Sequence, residues 1–246
     1  MQNAMDQRTI TATDLETTHP CWACAAPVAN GTGQCDACGK IQPLGADTDY
    51  FAALGLPRRL TLDGDDLERR WHERARRFHP DLYRTGEPRE RIVALENTAL
   101  LNRAYRTLRE PFSRAEYLVR SEEGAGAEIP SNPPQELFET ILAIQERLME
   151  YRLADPDERA ALRPELERDA AAMQREYDAV ADRLTAEIFP AWDALGDAAE
   201  PEARRRLLAA MKEAIGHRAY LRRVIQSLHD ALATGPGASE TNHAGN

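Results

Sequence analysis

Asp65-Asp-Leu-Glu-Arg-Arg-Trp-His-Glu-Arg-Ala-Arg-Arg-Phe-His-Pro-Asp81 is the stretch whose reading decides the fold. Asp63, Asp65 and Asp66 favour a helix N-terminus, where the helix dipole welcomes negative charge. Leu67, Trp71, Ala75 and Phe78 recur at helical spacing and mark a buried stripe. Pro80 lacks an N–H and pushes the residue before it toward extended geometry, so the helix stops there. The resulting turn presents His79 and Asp81 instead of burying them. A second helical run starts near Glu87, with Ile92, Leu95, Ala99, Leu100, Asn102, Ala104 and Leu108 as its expected stripe. Pro111 interrupts it, and Ser113 can restart a shorter helix holding Tyr117 and Leu118. Upstream, Asp49 can cap a short helix, Tyr50 to Leu54, that Gly55 and Pro57 end. Arg69, Arg70, Arg76 and Arg77 give the first long helix a basic face that can meet an acidic partner. Asp81 is an acceptor suited to a bidentate pair with a partner's arginine.

All four cysteines lie between positions 21 and 38. Cys21-Trp-Ala-Cys24, ten residues, then Cys35-Asp-Ala-Cys38 makes two knuckles that can complete a tetrahedron of thiolates around one ion. The reading is structural zinc, with iron as the other metal such a set accepts. Two disulfides, or a redox pair, are the alternative. Four protein ligands leave no open position for catalysis. Gly39 suits the turn after the second knuckle, Lys40 could offset the thiolate charge, and Trp22 reads as a packing residue. A homodimer through this module stays open.

The C-terminal part reads as three amphipathic helices in an antiparallel bundle. Leu137, Ile141, Ile144, Leu148 and Tyr151 mark the first. Leu162, Leu166, Ala170, Met173, Tyr177, Val180, Leu184 and Ile188 mark the second. Leu207 or Leu208, Met211, Ile215, Ile225, Leu228 and Leu232 mark the third. The first helix has a second stripe, Phe138, Leu142 and Met149, flanked by Glu139, Glu146 and Glu150. An apolar strip rimmed by acids fits a protein-docking groove, or else a wider core.

The fold class is therefore all-α: a helical hairpin and a three-helix bundle, preceded by a small zinc-knuckle module. The expected divisions are a disordered N-terminus to residue 20, the cysteine module and linker at 21–46, the hairpin domain at 47–120, a linker at 121–134, the bundle at 135–233, and a loose tail at 234–246.

With those residues in hand, the chain resembles the HscB-type J-domain co-chaperone of iron–sulfur cluster assembly. The resemblance rests on Asp49-Tyr-Phe-Ala-Ala-Leu-Gly-Leu56, His79-Pro-Asp81, Leu101-Asn-Arg-Ala-Tyr-Arg-Thr-Leu108 and Pro111-Phe-Ser-Arg-Ala-Glu-Tyr-Leu118. It implies that His79, Pro80 and Asp81, with the neighbouring arginines, engage a heat-shock ATPase of the DnaK or HscA type. It also implies that the bundle holds an IscU-type scaffold, with Phe138, Leu142, Glu146 and Glu150 on the matching positions. The tetra-cysteine module is similar to the extra zinc domain of some family members. Arg74 departs from the family, which usually has a leucine there; Glu139 and Ala143 depart in the docking face.

Net charge is −10 over 246 residues, which works against nucleic-acid binding through phosphate contacts. It leaves a zinc-ribbon adaptor for nucleic acid or protein as the alternative reading. The charge is uneven: residues 47–120 carry 15 basic and 13 acidic side chains, and residues 135–233 carry 14 and 20, so two different protein partners are expected. No apolar run approaches the roughly 18 residues of a membrane span. The N-terminus lacks the order of a secretory signal, and its acids suit a mitochondrial transit peptide poorly, so a bacterial cytoplasmic location is the default. His19, His72, His217, His229 and His243 show no ligand spacing with carboxylates, and no phosphate-cradling glycine loop or nucleophile elbow is present, so an enzyme is not expected.

Overall fold

The computed structural model describes residues 18–45, 47–130, 135–195 and 200–233. The expected disorder of residues 1–17 and of the tail from residue 234 lies outside the described residues. The chain divides into two compact units, one ending at Glu110 and one starting at Pro111.

In the first unit, strands β1 (Thr18–Pro20) and β2 (Pro27–Ala29) pair antiparallel, His19 opposite Val28. Residues 18–20, expected within the disordered N-terminus, are thus strand, because the Cys21 amide donates to Ala26 O (2.8 Å) and closes the hairpin. Helix α1 (Tyr50–Leu54) begins where Asp49 accepts from the amides of Phe51 and Ala52, and ends at Gly55, whose φ of 68° a side chain would resist. Helix α2 (Gly64–Arg77) is capped by Asp63, which accepts from the Asp65 and Asp66 amides. A 3₁₀ turn, Pro80–Tyr83, follows. Helix α3 (Pro88–Arg109) opens with a reciprocal capping box between Glu87 and Glu90.

The core of this unit holds Phe51, Leu54, Leu60, Leu67, Phe78, Leu101 and Leu108, all essentially inaccessible. Each contributes about 1.5–3 kcal/mol of burial. The expected α3 stripe holds only in part: Leu100, Ala104 and Leu108 are buried. Ile92 and Leu95 are more than half exposed and Ala99 faces solvent; the buried face of α3 is Val93, Ala94, Asn97, Leu100, Leu101, Ala104 and Leu108. Both stripes satisfy helical spacing. The buried one contains Asn97, whose amide is matched by hydrogen bonds that a count of apolar residues does not register. The segment 41–45, expected as a linker, is packed: Ile41, Gln42 and Leu44 are buried.

The second unit contains α4 (Pro111–Glu123), α5 (Phe138–Leu153), α6 (Pro156–Arg183), a π-helical turn (Leu184–Ile188), α7 (Phe189–Leu195) and α8 (Pro201–Ala233). Helices α5, α6 and α8 share one core built on Ile141, Ile144, Leu148, Tyr151, Leu166, Met173, Leu221 and Leu228. The compact units meet between Glu110 and Pro111, so residues 111–120, expected in the hairpin domain, fall in the second unit. Helix α4 packs on α8, and the Arg218 guanidinium lies 3.8 Å from the Phe112 ring centroid and 4.7 Å from that of Tyr177. Residues 121–123 are helix, not linker: Glu122 pairs with Arg204 (3.0 Å) and Glu123 with Lys212 (2.8 Å). Those partners are some eighty to ninety positions away, where a local reading has no access. Among the described residues no helix is long and apolar enough to cross a membrane.

Candidate functional site

The turn after α2 is built by three local devices. Phe78 ends the helix as its buried cap, the Pro80 ring starts the 3₁₀ turn, and the Asp81 amide donates to His79 Nδ1 (3.3 Å). Thr98 Oγ1 of α3 donates to Phe78 O (3.0 Å), tying the end of α2 across the hairpin. Both side chains singled out in the sequence stay outside: His79 is 56% and Asp81 73% exposed. The Asp81 carboxylate lies 3.6 Å from His79 Nδ1, so one exposed surface offers an imidazole and an acid side by side.

The five arginines of α2 differ in how much charge they have to give. Arg69 is held between Asp66 and Glu73, and Arg70 binds Asp66 (2.7 Å) and the Gly55 carbonyl. Arg77 donates to Gln34 of the cysteine hairpin. Arg76 donates to the His72 carbonyl. Arg74 turns toward the hairpin and donates to Gly31 O (3.2 Å); burial, then Arg77 and Arg70, lower its pKa. The basic face is therefore partly consumed inside the unit.

On α5 the stripe Phe138, Leu142 and Met149 is exposed to 55%, 47% and 65%, so it does not widen the core. Leu153, 79% exposed and the last residue of the helix, extends it by another turn beyond the stripe the sequence suggests. At roughly 100° per residue, these four side chains share one arc, and Gln145 sits just off its edge, halfway along its length. Glu139, Glu146 and Glu150 line one flank of that arc, and all three are exposed. Ile141, Ile144, Leu148 and Tyr151 point the other way, into the bundle.

In the hairpin the four sulfurs lie within 4.8 Å of one another, with Cys21 to Cys38 at 3.6 Å and Cys24 to Cys35 at 3.7 Å. Zinc–sulfur bonds of about 2.3 Å in a tetrahedron put sulfurs roughly 3.8 Å apart, so the set fits one ion. The thiols also contest the available charge. Burial raises Cys21, but the Ala23 and Cys24 amides and the neighbouring sulfurs outweigh it and hold it at about 6. The Lys40 amide lowers Cys38, yet burial and the other three sulfurs push it to about 12. A cation relieves that conflict. Lys40, expected to offset the thiolates, instead pairs with Glu87 and Glu90 at 3.1 Å each, bracing the start of α3. Gly39, at φ 71°, closes the second knuckle by donating to Cys35 O (2.8 Å). Trp22 packs as expected: its Nε1 donates to Ile41 O (2.6 Å), and the Arg89 guanidinium lies 5.0 Å from its ring centroid.

No protein-family model matches the chain. A co-chaperone protein HscB homologue of Bordetella pertussis is 37% identical over 140 residues, spanning 56% of this chain and 81% of that protein. The co-chaperone protein HscB of Proteus mirabilis is 29% identical over 170 residues, 69% of this chain and 94% of that one. The crystal structure of human co-chaperone protein HscB superposes with a TM-score of 0.60 at 24% identity, covering 86% of this chain and 97% of that chain, a likeness of fold. A helical hairpin, a three-helix bundle and a relative more than one-third identical over four-fifths of its length agree, and the chain belongs to the HscB co-chaperone family.

Proposed function

We propose that this co-chaperone stimulates the ATPase of a DnaK- or HscA-type chaperone through the His79-Pro80-Asp81 turn and brings it an IscU-type iron–sulfur scaffold held on α5. The observation that carries the reading is the exposure of His79 and Asp81 together on one turn between α2 and α3. The Asp81 carboxylate is free to accept a bidentate arginine pair from the ATPase, a contact specific in angle as well as charge. Arg76, with Arg69, Arg70 and Arg77 around it, supplies the positive margin for an acidic patch. Phe138, Leu142, Met149 and Leu153 supply an apolar line for the scaffold, and Glu146 and Glu150 its polar rim. Zinc at Cys21, Cys24, Cys35 and Cys38 serves as a structural cross-link, closed to substrate by its four sulfurs. The protein works in the bacterial cytoplasm and performs no covalent chemistry of its own. A nucleic-acid adaptor role is disfavoured because Lys40, the lysine beside the hairpin, is paired with Glu87 and Glu90.

The test is ATP turnover by a purified DnaK-type chaperone with and without this protein. Wild type accelerates hydrolysis and His79→Gln does not. Equal stimulation by the two proteins would refute the mechanism.

A further inference from the structure

Gln42 lies in a segment with no expected role, yet its side chain is completely buried. Its Nε2 donates to Cys21 Sγ (3.1 Å) and to Lys40 O (3.2 Å). Its Oε1 accepts from the Trp22 amide (3.2 Å). Both amide hydrogens and the carbonyl are therefore used within the hairpin. A methionine would fill the same space without needing partners, so a buried amide here is best explained by the sulfur it serves.

The backbone of the same residue is held from the other side. Asn97 of α3, 2% exposed, donates from Nδ2 to Gln42 O (2.9 Å) and accepts at Oδ1 from the Leu44 amide (2.9 Å). One helix side chain thus grips the chain on both sides of Pro43. Two buried amides in series run from a metal-site sulfur to the middle of α3. Buried polar contacts of this kind are intolerant of partial loss, because an abandoned partner stays desolvated.

We propose that Gln42 is a positioning residue for the metal centre, and that the Gln42–Asn97 pair makes metal retention and the order of α3 one cooperative event. The proposal rests on reading the cysteine cluster as a structural metal site. Gln42 fixes Cys21 and neutralises part of its thiolate charge by donation. Asn97 fixes Gln42. An ion gripped by the four cysteines therefore stiffens the helix that braces the His79 turn through Thr98.

The experiment uses the full chain loaded with zinc. Zinc is withdrawn by a chromogenic chelator, while hydrogen exchange is followed at the α3 amides from Ala94 to Leu101. The α6 amides of the second unit serve as reference. Withdrawal is expected to speed α3 exchange at least tenfold and leave α6 unchanged. Gln42→Met and Gln42→Glu are expected to weaken zinc retention by about 10- to 100-fold, the usual effect of losing a donor behind a metal ligand. Asn97→Asp keeps the acceptor for Leu44 but loses the donor to Gln42, and is expected to weaken retention although it touches no sulfur. Unchanged α3 exchange on zinc withdrawal overturns the coupling, as does normal retention in Asn97→Asp. Normal retention in Gln42→Met overturns the role of Gln42. A wild-type chain that retains no zinc overturns the structural-metal reading itself, and this inference with it.

Discussion

Gly216, buried in the middle of α8, sets two effects of opposite sign against each other. Gly216→Ala in a free helix is stabilising by about 0.8–1.0 kcal/mol, because alanine loses less backbone entropy. Here a Cβ on Gly216 would overlap the Pro130 carbonyl oxygen and stand 2.9 Å from the Pro130 carbonyl carbon. The obstacle is backbone, so no side-chain rotation relieves it. Overpacking costs about 1–3 kcal/mol, and a backbone obstacle belongs in the upper half of that range. The overlap therefore outweighs the propensity gain and leaves a net destabilisation of about 1–2 kcal/mol. Urea unfolding followed by Trp192 emission, in a background where Trp22 and Trp71 are phenylalanine, reads the second unit. The transition midpoint should fall with an unchanged slope. A variant more stable than its parent by about 1 kcal/mol, as propensity alone predicts, would show that Pro130 does not rest on α8.

Leu142→Ala removes a half-exposed side chain, so stability should change by no more than about 0.5 kcal/mol, while calorimetry with the IscU scaffold should show binding weakened by about tenfold or more, the mark of a central contact; unaltered affinity would remove α5 from the docking face. Gly33→Ala combines a φ of 67° with a Cβ 2.5 Å from Phe78 Cζ and 3.0 Å from Leu44 Cδ2. Thermal unfolding should report a loss of about 2–4 kcal/mol, and a loss under about 0.5 kcal/mol would contradict that packing. Burial raises the Glu90 carboxyl, but the Glu87 amide and Lys40 outweigh it and hold its pKa below 4.5. A folded-state pKa below the unfolded one gives stability that is present above the ordinary carboxylate range and is lost as pH falls through the lowered value. Glu90→Gln should therefore cost about 1 kcal/mol near neutral pH, with the gap to wild type closing on acidification; a gap constant across pH 7 to 3 in thermal melts would contradict it.

Local signals were the legible ones. Asp49, Gly55, Asp63 and Pro80 set their helix boundaries through contacts within a few residues, and each boundary stands where the residue types place it. The bundle stripes were equally plain, because Leu166, Met173, Met211 and Leu228 repeat over long helices. The cysteine spacing also anticipated a single cluster. What escaped was decided by distant partners. Two stripes on α3 had the same period, and Asn97 joined the buried one only through Gln42 and Leu44, more than fifty positions away. Sequence adjacency puts Lys40 with the neighbouring sulfurs, while Glu87 and Glu90 hold it in space. Ser121 to Glu123 looked like the start of a linker because neither Arg204 nor Lys212 is near in the chain.

The exposed line on α5 runs from Phe138 to Leu153, about 22 Å along the helix axis. Its apolar side chains come as an upper pair and a lower pair, with the amide of Gln145 between them. A ligand seated there has two separate footholds, not one continuous patch. Peeling off from one end first is then a natural route of departure for a protein seated there, one half of the grip releasing before the other.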